Sequence, residues 1–158
     1  MMKIYLMRHG DALVGGDDNE RSLSERGKAD LNRIAKFITP LKIEVSQMLH
    51  SKKRRARQTA EILASAIVVQ NAIQSREGLD PLESVIPLAD EIETWNDDTL
   101  LVGHMPFMGK LASFLVTGNE NRNTVSFQTG SIVCLEKLDP HWWIINWVLS
   151  PELFWSAP

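Results

Sequence analysis

The chain has 158 residues, enough to bury one core and too few for two comfortable domains. With 44% hydrophobic residues, 23% charged residues and a net charge of -3, it reads as an ordinary globular protein and disfavours a general binder of nucleic acid or anionic membrane. No apolar stretch is long enough to span a membrane, Met1-Met2-Lys3 leads into no secretory pattern, and the single cysteine, Cys134, excludes an internal disulfide, so a reducing cytoplasm is the expected setting. Ile4 to Met7 reads as a buried strand, and Gly15-Gly16-Asp17-Asp18-Asn19 as a flexible polar loop. Ser24 is placed as an N-cap for a helix with Leu31, Ile34, Ala35 and Ile38 on one face, ended by Pro40. Val45 to Leu49 is a second strand, and a second helix runs from about Arg54 to Ile67. The stretch from Ile73 to Pro87, with Pro81 and Pro87, reads as a long loop followed by a short helix. Thr99 to Val102 is a third strand, and Phe107 to Val116 a helix stopped by Gly118. Ser131 to Leu135 and Trp142 to Leu149 read as a hairpin across Asp139-Pro140, with Cys134 a small buried hydrophobe.

Strands alternating with helices predict a single α/β domain over residues 1–158, with a mostly parallel central sheet flanked by helices and antiparallel strands near the C-terminus. In such sheets the ligand site lies beyond the carboxyl ends of the strands. His9, Ser51 and His104 all fall just past predicted strand ends. Three segments therefore converge: Arg8-His9, the run from His50 to Thr59, and Gly103-His104-Met105-Pro106. Together they bring two imidazoles and at least two guanidiniums to one pocket. An imidazole can attack phosphorus, and guanidiniums hold phosphoryl oxygens through paired hydrogen bonds. Phosphoryl transfer rests mainly on positioning and charge stabilisation, which such a cluster supplies.

Four motifs occur in order: Arg8-His9-Gly10, Arg21-Ser22-Leu23-Ser24-x-x-Gly27, Arg55-Ala56-x-Gln58-Thr59 and Gly103-His104. Over nearly the whole chain this pattern resembles the histidine phosphatase superfamily (phosphoglycerate mutase-like), and within it the small phosphohistidine phosphatases of the SixA type. The resemblance implies that fold without the helical insert of larger members, and a cytoplasmic enzyme of signal transduction that needs no cofactor or metal. It implies that His9 is the nucleophile, transiently phosphorylated, and that Arg8, Arg55 and His104 bind the phosphoryl oxygens with Arg21 at the pocket edge. His104 is expected to carry a proton, adding positive charge. The substrate implied is a phosphohistidine on a phosphotransfer protein.

The chain departs from the family where Ser-Pro usually follows the second strand; here Ser51 precedes Lys52 and Lys53. Many members use a carboxylate as general acid, and Glu77 and Asp80 are the candidates, with Asp11 less favoured. A small phosphomonoester metabolite is the alternative substrate, and a non-catalytic phosphoprotein-binding module the alternative class. His50 and His141 read as structural or solvent-facing, and the histidine spacing does not suit zinc. The basic run Lys52 to Arg57 reads as a solvated helix start, with electrostatic steering of an anionic phosphoprotein as the sharper alternative. Trp142, Trp143 and Trp147 read as core on one side of a terminal strand.

Overall fold

The computed structural model describes residues 1–155, so the last three positions of the expected 1–158 domain lie outside the described residues. The elements in chain order are β1 (Lys3–Arg8), α1 (Glu25–Ile38), β2 (Glu44–His50), α2 (Arg54–Leu63) and β3 (Val68–Ser75), then α3 (Ile86–Ile92), β4 (Thr99–Gly103), α4 (Phe107–Thr117), β5 (Ile132–Asp139) and β6 (Trp142–Leu149). They form one six-stranded sheet in the order β3-β2-β4-β1-β5-β6. The first four strands in that order run parallel, while β5 and β6 are antiparallel to their neighbours.

Alternation along β1 explains the layers. Ile4 and Leu6 pack with Phe107 and Leu111 of α4, whereas Tyr5 and Met7 pack with Leu31 and Ile34 of α1 and Ala60 of α2. A strand buried on both faces needs an unbroken apolar run, and Ile4 to Met7 supplies it. Helix α1 begins where Ser24 predicts: its hydroxyl accepts from the Gly27 amide at 3.0 Å. Gly27 is required there, because an added Cβ would lie 2.1 Å from the Asp11 carbonyl oxygen. Helix α4 ends at Gly118 in the left-handed conformation, φ 76°. Cys134 is buried and free. Trp142 is exposed, Trp143 is fully buried with the α3–α4 face, and half-buried Trp147 packs on the α1–α2 face because the β5–β6 register shifts between them, so the expected core on one side is corrected to packing on both.

Two readings are corrected. Helix α2 stops at Leu63 rather than Ile67, and the chain turns at once into β3, an edge strand whose first five residues carry no sequence assignment and whose last three fall in the expected loop. β3 pairs only with β2 and shows most of its side chains to solvent, so neither face carries the apolar alternation that marks a strand. The loop that was expected to begin at Ile73 begins after Ser75 and leads to the short helix α3.

Helices α1 and α2 cover one face of the sheet, and α3 and α4 the other. Adjacent strands β1 and β4 thus hand the chain to opposite faces, which opens a crevice between their carboxyl ends. His9 and His104 sit at that crevice.

Candidate active site

The end of β1 is fixed from both sides. The His9 amide donates to the Gly103 carbonyl at 2.9 Å, and the Gly130 amide donates to the His9 carbonyl at 2.9 Å. The His9 ring is buried, 8% exposed, and its Nδ1 lies 2.7 Å from the Gly10 carbonyl oxygen. A carbonyl only accepts, so Nδ1 carries the hydrogen and Nε2 presents its lone pair. Burial, with Arg55, Arg8 and Arg21 adding positive charge nearby, lowers the His9 pKa to about 4 against the pull of the Gly10 bond. The ring is neutral near pH 7, as an attacking imidazole must be.

Gly10 itself is braced from α2. Its amide donates to Thr59 Oγ1 at 3.1 Å, while that hydroxyl donates to the Arg55 carbonyl at 2.8 Å. Gln58 Oε1 accepts from the Leu23 amide at 2.8 Å and so ties α2 to the segment that carries Arg21. The Arg-Ala-x-Gln-Thr motif therefore holds three segments together, a role its sequence did not disclose.

His104 follows β4 and is buried, with its ring centroid 5.1 Å from that of His9. Its Nε2 lies 2.7 Å from Ser51 Oγ, and its buried Nδ1 has no partner. The expectation of a protonated His104 is corrected: burial, with the adjacent His9 ring opposing a second proton at low pH and Arg55 and Lys53 adding positive charge, lowers its pKa to about 3. Ser51 Oγ also accepts from the Lys53 amide at 3.2 Å. A hydroxyl that accepts there can donate to Nε2, which leaves the hydrogen on Nδ1. A neutral His104 then still offers an N–H donor.

Arg8 donates through one terminal nitrogen to the Phe127 carbonyl at 2.8 Å, and its buried Nε is unpartnered. Arg55 donates to the Asp18 carbonyl at 2.7 Å, and its Nε is likewise buried and unpartnered. Such orphaned donors at one crevice suit an oxyanion. Arg21 is anchored by the Leu13 carbonyl at 2.7 Å and meets Asp18 Oδ1 at 3.2 Å.

Asp18, in the stretch that reads from sequence as a flexible polar loop, is the hub of this wall. Its carboxylate lies 2.7 Å from Lys53 Nζ and 3.4 Å from a terminal nitrogen of Arg55, besides Arg21. Lys53, with Arg55 and Arg21, holds this carboxyl well below the usual carboxylate range. The legible signal was the spacing Asp18-x-x-Arg21, three residues apart in a short helical turn.

The basic run resolves into individual tasks. Lys52 pairs with Glu77, Lys53 with Asp18, Arg57 with Glu61 at 3.7 Å, and Arg55 turns inward. Ion pairs on both sides thus hold the loop where the family has proline. Glu77 is exposed on the rim, and Asp80 is exposed in the loop before α3. Neither is hydrogen-bonded to either imidazole. Asp11 accepts from the Ser24 hydroxyl at 2.5 Å and belongs to the α1 cap. His50 is buried with Nδ1 on the Ser51 carbonyl at 2.9 Å, and His141 is exposed at the β5–β6 turn. Among the described residues, no group of three or more His, Cys, Asp or Glu side chains could hold a metal ion, and no helix is long and apolar enough to cross a membrane.

Known proteins place this geometry. Residues 4–83 match the model of the histidine phosphatase superfamily (branch 1). Phosphohistidine phosphatase SixA of Escherichia coli (strain K12) is 25% identical over 155 residues, 95% of this chain and 94% of that protein. An uncharacterized protein of Picosynechococcus sp. is 33% identical over 124 residues, 74% of each chain. Among solved structures, the protein histidine phosphatase SixA complexed with tungstate superposes with a TM-score of 0.86 at 23% identity, covering 96% of this chain and 99% of that one. A phosphoserine phosphatase from Entamoeba histolytica, solved with 3-phosphoglyceric acid, superposes at 0.69 with 16% identity, covering 95% and 98%. The matched model spans β1 through the loop before α3, including three of the four motifs read above, and the chain belongs to the histidine phosphatase superfamily as a histidine-nucleophile phosphatase.

Proposed function

We propose that this protein removes the phosphoryl group from a phosphohistidine on another protein, with His9 as the nucleophile. Nε2 of His9 attacks phosphorus, the bond from phosphorus to the substrate ring nitrogen breaks, and that nitrogen keeps the electron pair and takes a proton from solvent. Water then attacks the phosphorus on His9, and inorganic phosphate leaves with Nε2 restored. Arg8, Arg55 and the Nδ1–H of His104 bind the phosphoryl oxygens, and Arg21 supports the rim through Asp18.

The observation that carries the substrate is the state of the carboxylates. Asp18, the carboxylate set among the site's cations, is held ionised by Lys53, Arg55 and Arg21, so it has no proton to give. Glu77 and Asp80 are solvent-facing. An alkoxide needs a proton from the enzyme as it leaves, and an imidazole departs far more readily without one. A site lacking a poised acid thus favours phosphohistidine over an alkyl phosphomonoester.

The test compares phosphate release from a phosphohistidine-bearing protein and from p-nitrophenyl phosphate, using the wild type and His9→Ala. Release from phosphohistidine, lost in His9→Ala, is the expected result. Preference for a small phosphomonoester overturns the substrate, and activity surviving in His9→Ala overturns the nucleophile. No release from either substrate returns the protein to the class of phosphoprotein-binding modules.

A further inference from the structure

Among the described residues, the two most exposed large apolar side chains are Val14 and Leu82, each 89% exposed. Scattered aliphatic side chains on a surface are ordinary. These two share a location that is not. Both sit on loops at the carboxyl edge of the sheet, one arriving from each face.

Val14 lies on an arm that leaves β1 directly after His9 and returns to α1. The arm is closed by the Leu13 amide donating to the Ser22 carbonyl at 2.9 Å and by pairing of Ala12 with Leu23. Its tip turns through Gly15 and Gly16, with φ 92° and 73°, which is why glycines stand there. The Asp18 contacts with Arg55 and Lys53 bolt the arm to the phosphoryl pocket. Leu82 lies on the loop between β3 and α3. That loop is moored by Lys52 with Glu77 and by buried Leu79, whose carbonyl oxygen lies 3.8 Å from where a Cβ on Gly103 would stand. Between these two anchored loops lie the ends of β2 and β4, which carry Ser51 and His104.

Both side chains are presented on fixed supports, and none of the described residues covers them. Covering two such side chains favours association with whatever covers them. β1 and β3, the strands that lead into these loops, stand three strand spacings apart in the sheet, roughly 14 Å, so a small phosphorylated metabolite held at His9 does not span both. Arg54, exposed on the same rim, has no carboxylate partner among the described residues.

We infer that Val14 and Leu82 form two apolar lips that seat a folded protein substrate, gripping aliphatic side chains on either side of its phosphohistidine, with Arg54 meeting an acidic residue beyond them. The inference rests on the phosphohistidine reading above and adds the surface that recognises the carrier. The lips select the protein, and the pocket selects the phosphoryl group.

The experiment pairs two substrates. A helical phosphotransfer domain phosphorylated on histidine reads lips and pocket together, and phosphoramidate reads the pocket alone. Val14→Ser and Leu82→Ser, singly and combined, remove apolar surface without altering charge beside the cationic pocket. Both positions are solvent-facing, and thermal melting checks that the fold is kept. The doubly substituted protein is expected to lose roughly tenfold in kcat/KM on the phosphorylated domain, carried by KM, with phosphoramidate turnover within about twofold of the wild type. Leu82→Met should restore most of the loss at that position. Equal losses on both substrates, or no loss on the domain, overturn the lips while leaving the phosphohistidine reading intact. A wild type that hydrolyses phosphoramidate and not the domain overturns the carrier reading and the lips with it.

Discussion

At the scale of the residue, His9 and His104 are distinguished by what their ring nitrogens touch rather than by their positions in a motif. His9 gives Nδ1 to the Gly10 carbonyl and leaves Nε2 with its lone pair, while His104 gives Nε2 to Ser51 and leaves Nδ1. Both are buried bases whose folded pKa values, about 4 and about 3, lie below the value of about 6.5 for a free histidine. The unfolded chain therefore binds protons at these positions between about pH 6.5 and 4 while the folded chain does not, and stability falls as pH is lowered through that window. Urea midpoints at pH 7, 5.5 and 4.5 should decline, and His9→Asn should flatten the decline; a profile unchanged by that substitution would contradict the account. The residues of this site were unevenly legible. Arg8, His9, Arg55 and His104 stand in motifs whose chemistry can be read from residue type and strand-end position. Asp18 could not be read that way, because its role depends on Lys53 and Arg55, which are more than thirty residues away in sequence. The Phe127 carbonyl that aims Arg8 has no side-chain signature at all.

At the scale of the element, segments with one dry face announced themselves and segments without one did not. β1, β2 and β4 carry buried apolar runs, and α1 carries both an N-cap and an apolar stripe. β3 carries neither, since one edge of it is free and most of its side chains meet water. Ala66 and Ile67 continue the apolar spacing of α2 beyond its end, and they are buried by the turn into β3 rather than by another turn of helix. The Arg21 to Gly27 motif gains a meaning as an element joint, where α1 is set against the chain leaving His9. Gly27→Ala places a methyl carbon against the Asp11 backbone, which no side-chain rotation can relieve. A loss of about 2 kcal/mol or more is expected in urea unfolding, along with reduced turnover as the arm shifts. Full stability in that variant would show that the joint yields.

At the scale of the molecule, the sheet ends on one side in β3, whose sequence from Val68 to Ser75 contains no charge and no proline. Such an edge lacks the usual guards against pairing with another chain. Ile73, at an exposed position of that strand, is the place to add one. Ile73→Lys should leave phosphatase activity unchanged, alter stability by about 0.5 kcal/mol or less, and reduce aggregation on heating as followed by light scattering. Aggregation as fast as that of the wild type would point to another surface.

The strand order has a consequence in time as well as in space. β1 is made well before its two neighbours in the sheet, β4 and β5, which come from residues 99–103 and 132–139. Until that late stretch exists, the apolar β1 has neither partner, and His9 lacks both the Gly103 and the Gly130 anchors that set its backbone. Pairings so distant along the chain form slowly. A nascent chain on the ribosome thus carries His9 well before the partners that fix its backbone exist. The backbone of His9 is set only when β4, and later still β5, pair on the two sides of β1.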